Sequence, residues 1–321
     1  MISGKWLIAL VATGALSVGI AACGDDDDSS SGGGDLSGTV AIDGSSTVQP
    51  FAEAAGELFK EENSGVDTTV GAAGTSGGFE KFCAGETDIS DASRAIEPEE
   101  EKLCQEGGVE YTEVQVANDG IAIVTNPEVE ISCLTVDQLA QLWEPDSKIT
   151  NYSDLGDDAE TGEPLPDVDV SLYGPGTDSG TFDYFTEEVV GEEGASRDDY
   201  QPSEDDNVLV QGVGGDTGGL AYFGFSYYEQ NQDTLNLVSV DDGDGCVAPS
   251  AETIQDGSYS PLARPLFMYP SAKALERPEV EGFMNFAVDS YSEIAEAALI
   301  VPMDETQAEE ARTALDGALG S

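Results

Sequence analysis

Three short segments rich in glycine and hydroxyl residues, each set between a strand-like and a helix-like run, constrain this chain most. They are Asp43-Gly44-Ser45-Ser46-Thr47, Gly74-Thr75-Ser76-Gly77-Gly78 and Gly174-Pro175-Gly176-Thr177-Asp178-Ser179-Gly180-Thr181. Leu36 to Ile42, Val66 to Val70 and Val168 to Tyr173 are the apolar runs that enter them. Phe51, Ala54, Ala55, Leu58 and Phe59 follow the first at helical spacing; Phe79 and Phe82 follow the second, and Phe182, Phe185 and Val189 the third. Strands alternating with helices predict an α/β fold with mostly parallel sheets. In such folds ligands sit beyond the carboxyl ends of strands, where strand-to-helix loops gather.

The chemistry of these loops suits an anion. A helix start leaves several N–H groups without partners and carries partial positive charge. Glycine lets the backbone approach closely, and Ser or Thr adds a short donor beside each N–H. Any one loop alone reads equally well as a turn and a helix cap; three together point to an oxyanion held between helix ends. The nucleotide-binding patterns Gly-x-x-x-x-Gly-Lys-Ser/Thr and Gly-x-Gly-x-x-Gly are absent from the loops. A Ser-His-Asp arrangement is impossible without histidine. Asp241-Asp242-Gly243-Asp244-Gly245 misses the calcium-loop spacing and reads as an acidic turn. No catalytic residue, metal site or cofactor is expected.

Residues 1–22 read as a lipoprotein signal peptide: Lys5, an apolar run from Trp6 to Ile20, then Ala21-Ala22 before Cys23. Cys23 is the expected lipidation site, and residues 23–36 form a flexible tether too polar to pack. Four cysteines remain, an even number that in an exported chain favours two disulfides. Cys83–Cys104 closes a short local loop and is the preferred pair among three possible pairings, which leaves Cys133–Cys246. Without histidine or a Cys-x-x-Cys pair, a metal role for these cysteines is not expected.

Charge is lopsided, with 65 acidic against 11 basic residues. Nucleic acid is thereby excluded as a partner, since phosphate backbones need basic patches. The acidic blocks read as solvated surface, suited to a saline habitat where screening shortens self-repulsion. Arg94 stands out among the few basic residues because Asp88-Ile89-Ser90-Asp91-Ala92-Ser93 precedes it. A guanidinium there could grip two oxyanion oxygens, or form a surface salt bridge.

Together, Asp-Gly-Ser-Ser-Thr-Val-x-Pro, Gly-Thr-Ser-Gly-Gly-Phe, Gly-Glu-Thr-Asp-Ile-Ser-Asp-Ala-Ser-Arg and Gly-Pro-Gly-Thr-Asp-Ser-Gly-Thr-Phe, in this order, resemble a known family. It is the phosphate-binding protein of the high-affinity phosphate ABC transporter, a PstS-type periplasmic binding protein. The resemblance covers essentially the whole chain beyond Cys23. It implies a two-lobe periplasmic-binding-protein fold, type II-like, with a ligand cleft between lobes joined by a two-strand hinge. Lobe I is then expected at 37–116 plus 264–321, and lobe II at 117–263. The implied function is an extracytoplasmic solute-binding lipoprotein, held to the outer face of a bacterial cell membrane through Cys23. As a monomer it captures inorganic phosphate and delivers it to an ABC permease with its ATPase. The alternatives are a binding protein for sulfate or molybdate, an extracellular phosphate sensor, and a phosphatase-like enzyme.

Carried over by position, the implied phosphate ligands are Ser46, Thr47, Thr75, Ser76, Ser179, Gly180 and Thr181, with Ser93. Many members carry an arginine where this chain has Pro175 and an aspartate where it has Ser93; Arg94 is expected to restore the positive charge. Asp119 is expected to supply the carboxylate, ahead of Asp178 and Asp43. Phosphate near neutral pH still carries a proton and sulfate does not, so an acceptor-only carboxylate in a dry site selects phosphate.

Overall fold

The computed structural model describes residues 36–177 and 179–320. The expected signal peptide, the Cys23 anchor, the tether up to residue 35, and Asp178 lie outside the described residues. Among the described residues, no helix is long and apolar enough to cross a membrane.

The chain opens with β1 (Ser37–Gly44), α1 (Gln49–Glu62), β2 (Gly65–Val70), α2 (Thr75–Cys83), β3 (Ile89–Ala92) and α3 (Pro98–Gly107). β1 pairs in parallel with both β2 and β3, as strands joined through crossover helices must. α1 buries Phe51, Ala52, Ala55 and Phe59, one face of a 3.6-residue repeat, and Pro50 falls in its first turn, where a missing N–H costs nothing.

Next comes β4 (Val114–Thr125), 12 residues without a break. Sequence reading expects two extended stretches interrupted at Asn118-Asp119-Gly120, and the structure corrects this. Asn118 is held in extended form by paired bonds to Val301, N to O at 2.8 Å and O to N at 3.1 Å. Its side chain donates to the carbonyl of Pro302 and to Gln307. Long-range partners thus supply what local propensity lacks.

The middle of the chain holds β5 (Cys133–Thr135), α4 (Val136–Trp143), β6 (Ser171–Pro175), α5 (Gly180–Phe185), β7 (Gln201–Ser203), α6 (Asp206–Gly215), β8 (Gly219–Gly224), β9 (Asn236–Asp241) and β10 (Cys246–Val247). Thr135 caps α4 as its position suggests, in a reciprocal box with Gln138. β11 (Ala263–Pro270) then returns antiparallel to β3 and β4. The helix expected over 280–299 is two, Pro278–Asp289 and Tyr291–Ala298. Ser290 leaves the helical region at φ −106° and ψ 17°, closing one helix through its N–H to Phe286 and opening the next through its carbonyl to Ile294.

The main path of the sheet runs β2-β1-β3-β11-β4-β8-β6-β7. Its flanks are parallel, whereas β3, β11, β4 and β8 pair antiparallel in the centre. Two large apolar cores lie on either side of that centre. One gathers Val40, Phe51, Phe59, Leu266, Met268 and Phe283; the other gathers Leu139, Trp143, Phe185, Tyr222, Phe223 and Tyr259. β4 places Val114, Val116 and Ala117 in the first and Ile121 to Val124 in the second. β11 likewise leads from Ala263, packed on the second core, to Leu266 and Met268 in the first. Those two strands are therefore the crossing between the lobes. The disulfides are Cys83–Cys104 and Cys133–Cys246, the pairing read from the cysteine spacing.

Candidate functional site

A cleft of about 630 Å³ is lined by all three loops. From the first come Ser45, Ser46 and Thr47; from the second, Gly74, Thr75, Ser76 and Gly77; from the third, Gly180. Ser93 and Arg94, just after β3, line it too. The loops converge because β1, β2 and β3 end side by side and β6 ends in the facing lobe. Gly180 sits so close to the first loop that a Cβ there would lie 2.5 Å from Thr47 Oγ1 and 2.6 Å from Ser46 Oγ. Only glycine allows that approach between the two lobes.

Helix starts are left open where the cleft needs donors. α2 begins behind Gly74, whose φ of +79° suits glycine, and no side chain caps its first N–H groups. α1 follows Val48, which also supplies no side-chain cap. Thr75 Oγ1 lies 3.1 Å from Ser93 Oγ and accepts from Ser93 N at 3.3 Å, which ties the second loop to the end of β3. Asp43 braces the first two loops against each other: it accepts from Ala73 N at 2.9 Å and pairs with Lys81 at 2.5 Å. Burial alone would push its carboxyl up, but these partners outweigh burial and hold it below its usual range. Asp43 is thus committed to structure and not to the cleft.

Arg94 does not offer its fork to the cleft as expected. Its Nη1 and Nη2 meet the two oxygens of Glu100, each at 2.8 Å, and Nη2 also donates to Ser76 Oγ at 2.9 Å. A bidentate carboxylate partner within reach on α3 captures the guanidinium. Glu100 is pushed up by burial, yet the Arg94 hydrogen bonds overcome this and lower its pKa.

The residue that sequence reading missed is Arg264. It stands at the start of β11, directly opposite Asp119 of β4 in the strand register. Residues so placed share one face of the sheet, and Arg264 Nε reaches Asp119 Oδ2 at 3.2 Å. Its Nη2 donates to Thr47 Oγ1 at 2.7 Å, and Gly180 O lies 3.5 Å away. None of these bonds uses Nη1. One guanidinium thus touches the first loop, the third loop and the carboxylate expected to select the ligand. Asp119, only 9% exposed at its side chain, stands behind Arg264 and does not itself line the cleft. Ser179 and Thr181 flank Gly180, with Thr181 N donating to Ser179 Oγ at 3.2 Å, and they also stay off the cleft wall. Nothing local marks Arg264 in the sequence, where it stands between Ala263 and Pro265.

Negative charge also surrounds the cleft. Glu97, Asp183, Glu187, Glu188 and Glu193 line it beside Arg94 and Arg264. Burial, with Glu187 adding to it, raises the Glu188 pKa against the opposing pull of Arg264. Repulsion from such a rim is screened within about 8–10 Å at ordinary salt, while hydrogen-bond donors act at contact. Affinity for an anion can therefore survive at the base of an acidic cleft.

Beneath the first loop lies a further carboxyl. Ser45 N donates to Asp91 O at 2.9 Å, and the Asp91 side chain is fully buried with neither oxygen hydrogen-bonded to a described residue. Burial, reinforced by nearby Asp43, pushes its pKa well above the ordinary 3.8. As pH rises past 3.8, the unfolded chain releases this proton while the native state keeps it, so stability falls with rising pH. Asp91→Asn preserves the shape of the neutral acid and removes the titration. Thermal unfolding between pH 4 and 8 is expected to show the stability of wild type falling relative to the variant as pH rises toward neutrality, the difference narrowing toward pH 4. A constant margin would mean that Asp91 does not titrate in this way.

Comparison with known proteins agrees with this geometry. Residues 29–290 match the model of the PBP superfamily domain. The chain is 43% identical over 300 residues to the protein SphX of Synechocystis sp., covering 92% of this chain and 85% of the relative. It is 37% identical over 320 residues to the phosphate-binding protein PstS of Staphylococcus saprophyticus, covering 98% and 96%. The crystal structure of a possible phosphate binding protein from Planctomyces limnophilus superposes with a TM-score of 0.81 at 40% identity, covering 88% of this chain and 99% of that one. A match over most of the chain, two lobes crossed by two strands and loops converging between them together place this chain in the PBP superfamily, among the PstS-type phosphate-binding proteins.

Proposed function

We propose that this protein captures inorganic phosphate in the cleft and delivers it to an ABC permease driven by its ATPase. One observation carries the reading: loops from both lobes converge on a guanidinium, Arg264, that is already paired with a buried acceptor, Asp119. Donors from Ser46, Thr47, Thr75, Ser76, Ser93 and Gly180 face the oxygens across the cleft, and Ser179 and Thr181 beside Gly180 join them as the lobes close. Arg264 neutralises charge, and closure of the lobes brings the proton that phosphate retains to Asp119 behind it. Arg94 contributes from the edge of the cleft, since its fork is bound to Glu100. The lobes are residues 37–116 with 264–321, and 117–263, closing about β4 and β11. Residues 1–22 direct export, and Cys23 carries the lipid that anchors a monomeric, extracytoplasmic protein to the membrane.

Hydrolysis is not the reading the cleft supports: the chain has no histidine to form a Ser–His pair with Ser46, Ser76 or Ser93. Calorimetry of the protein lacking residues 1–35, in high salt, tests the proposal. Phosphate and arsenate are expected to bind one per chain, with sulfate far weaker because it has no proton to give Asp119. Sulfate binding as tightly as phosphate would make this a receptor for another oxyanion. No binding of any of the three would remove the transport reading.

A further inference from the structure

Tyr184 lies on α5, four residues beyond Gly180, and is only 5% exposed. Its ring faces the Arg264 guanidinium, with Cζ 3.6 Å from the ring centroid. Its hydroxyl donates to the carbonyls of Pro261 and Ala263, in the segment that leads into β11. One side chain therefore holds both ends of Arg264: the hydroxyl fixes the backbone from which the arginine rises, and the ring fixes the plane of its head. A guanidinium stacked face-on keeps its N–H groups in that plane, directed outward. The edges so exposed are the ones that meet Asp119 and Thr47.

We propose that Tyr184 is a positioning residue that presets the plane of Arg264, and that it sets phosphate affinity through that arginine. The proposal rests on the reading that the cleft holds phosphate. An arginine side chain has many rotamers, and holding one of them before the ligand arrives removes an ordering cost from binding. Tyr184 belongs to the lobe opposite Thr47, so an Arg264 held against its ring also gives the first loop a fixed point across the cleft on which to close. Burial pushes the Tyr184 hydroxyl up in pKa despite the opposing charge of Arg264, so it remains a neutral donor to its two carbonyls.

Phosphate is titrated calorimetrically into the wild-type protein, Tyr184→Phe, Tyr184→Leu, Arg264→Gln and the Tyr184→Leu/Arg264→Gln double variant. Tyr184→Phe keeps the ring and is expected to bind within about threefold of wild type, while Tyr184→Leu binds about tenfold more weakly. In the Arg264→Gln background the same Leu change is expected to cost less than about twofold, because the residue it acts through is gone. Tyr184→Met, an unbranched side chain of similar reach, carries the same expectation should the Leu variant fail to fold. A tenfold loss in both backgrounds would make Tyr184 a packing residue only, and wild-type affinity in Tyr184→Leu would remove it altogether. If wild type itself takes no phosphate, the ligand assignment fails. Normal wild-type binding without coupling defeats the Tyr184 proposal alone.

Discussion

Arg264→Gln is expected to weaken phosphate binding by about two orders of magnitude or more, the largest effect of any single change in the cleft. Two terms add. A charge-assisted hydrogen bond to a dianion contributes about 1.5–3 kcal/mol. Removing the cation also leaves Asp119, 9% exposed, without its partner beside the incoming negative charge. Breaking such a pair by deleting one member costs about 3–5 kcal/mol where both charges are buried. Part of that cost falls on the free protein, so calorimetric affinity and thermal unfolding should both worsen. Arg264→Lys is expected to recover little: lysine keeps the charge but cannot address Asp119, Thr47 and a ligand from one plane. Arg94→Gln, by contrast, removes a guanidinium whose fork is occupied by Glu100, and its effect on affinity should be much smaller. Equal losses for the two arginines, measured by titration with phosphate at one salt concentration, would reverse their roles.

The second large effect is on selectivity. Asp119→Asn should reduce the ratio of phosphate to sulfate affinity by about 5–150-fold, the equivalent of about 1–3 kcal/mol for one unmet buried hydrogen bond. Asp119 gives Oδ2 to Arg264, and in the proposed closed state its Oδ1 accepts from the ligand. Asparagine offers an N–H₂ where phosphate presents its own proton, so phosphate loses a bond and meets a second donor. Sulfate gains a donor in place of a repelling oxygen. Phosphate affinity should therefore fall while sulfate affinity holds or rises. An unchanged ratio in paired calorimetric titrations would mean that another group accepts the proton.

Local chemistry explains what could be read early. That Ser46, Thr47, Thr75, Ser76 and Gly180 would line one cleft was legible only from the three glycine- and hydroxyl-rich loops taken together, since each alone reads equally well as a turn and helix cap. The pairing Cys83–Cys104 followed from a separation of 21 residues along the chain. The helix boundary at Ser290 and the unbroken course of β4 were not visible, since both depend on bonds made far from the residues concerned. Asn118, for example, is held in its strand by Val301, Pro302 and Gln307.

Arg94 and Arg264 show the division most clearly. From composition and neighbours, Arg94 was the better candidate, set among Ser93, Asp91 and Ser90. In space, Glu100 lies six positions along the chain and closes on it from α3. Arg264 stands between Ala263 and Pro265 with no suggestive neighbour, and its partners are 145 positions away at Asp119 and 217 at Thr47. Order along the chain thus disclosed an α/β body with anion-seeking loops, because helix starts and glycine turns are properties of a few adjacent residues. The choice of which charge serves those loops emerged only on folding. Ion pairs form with whatever carboxylate the backbone brings within reach, and two strands crossing between lobes brought Asp119 to Arg264.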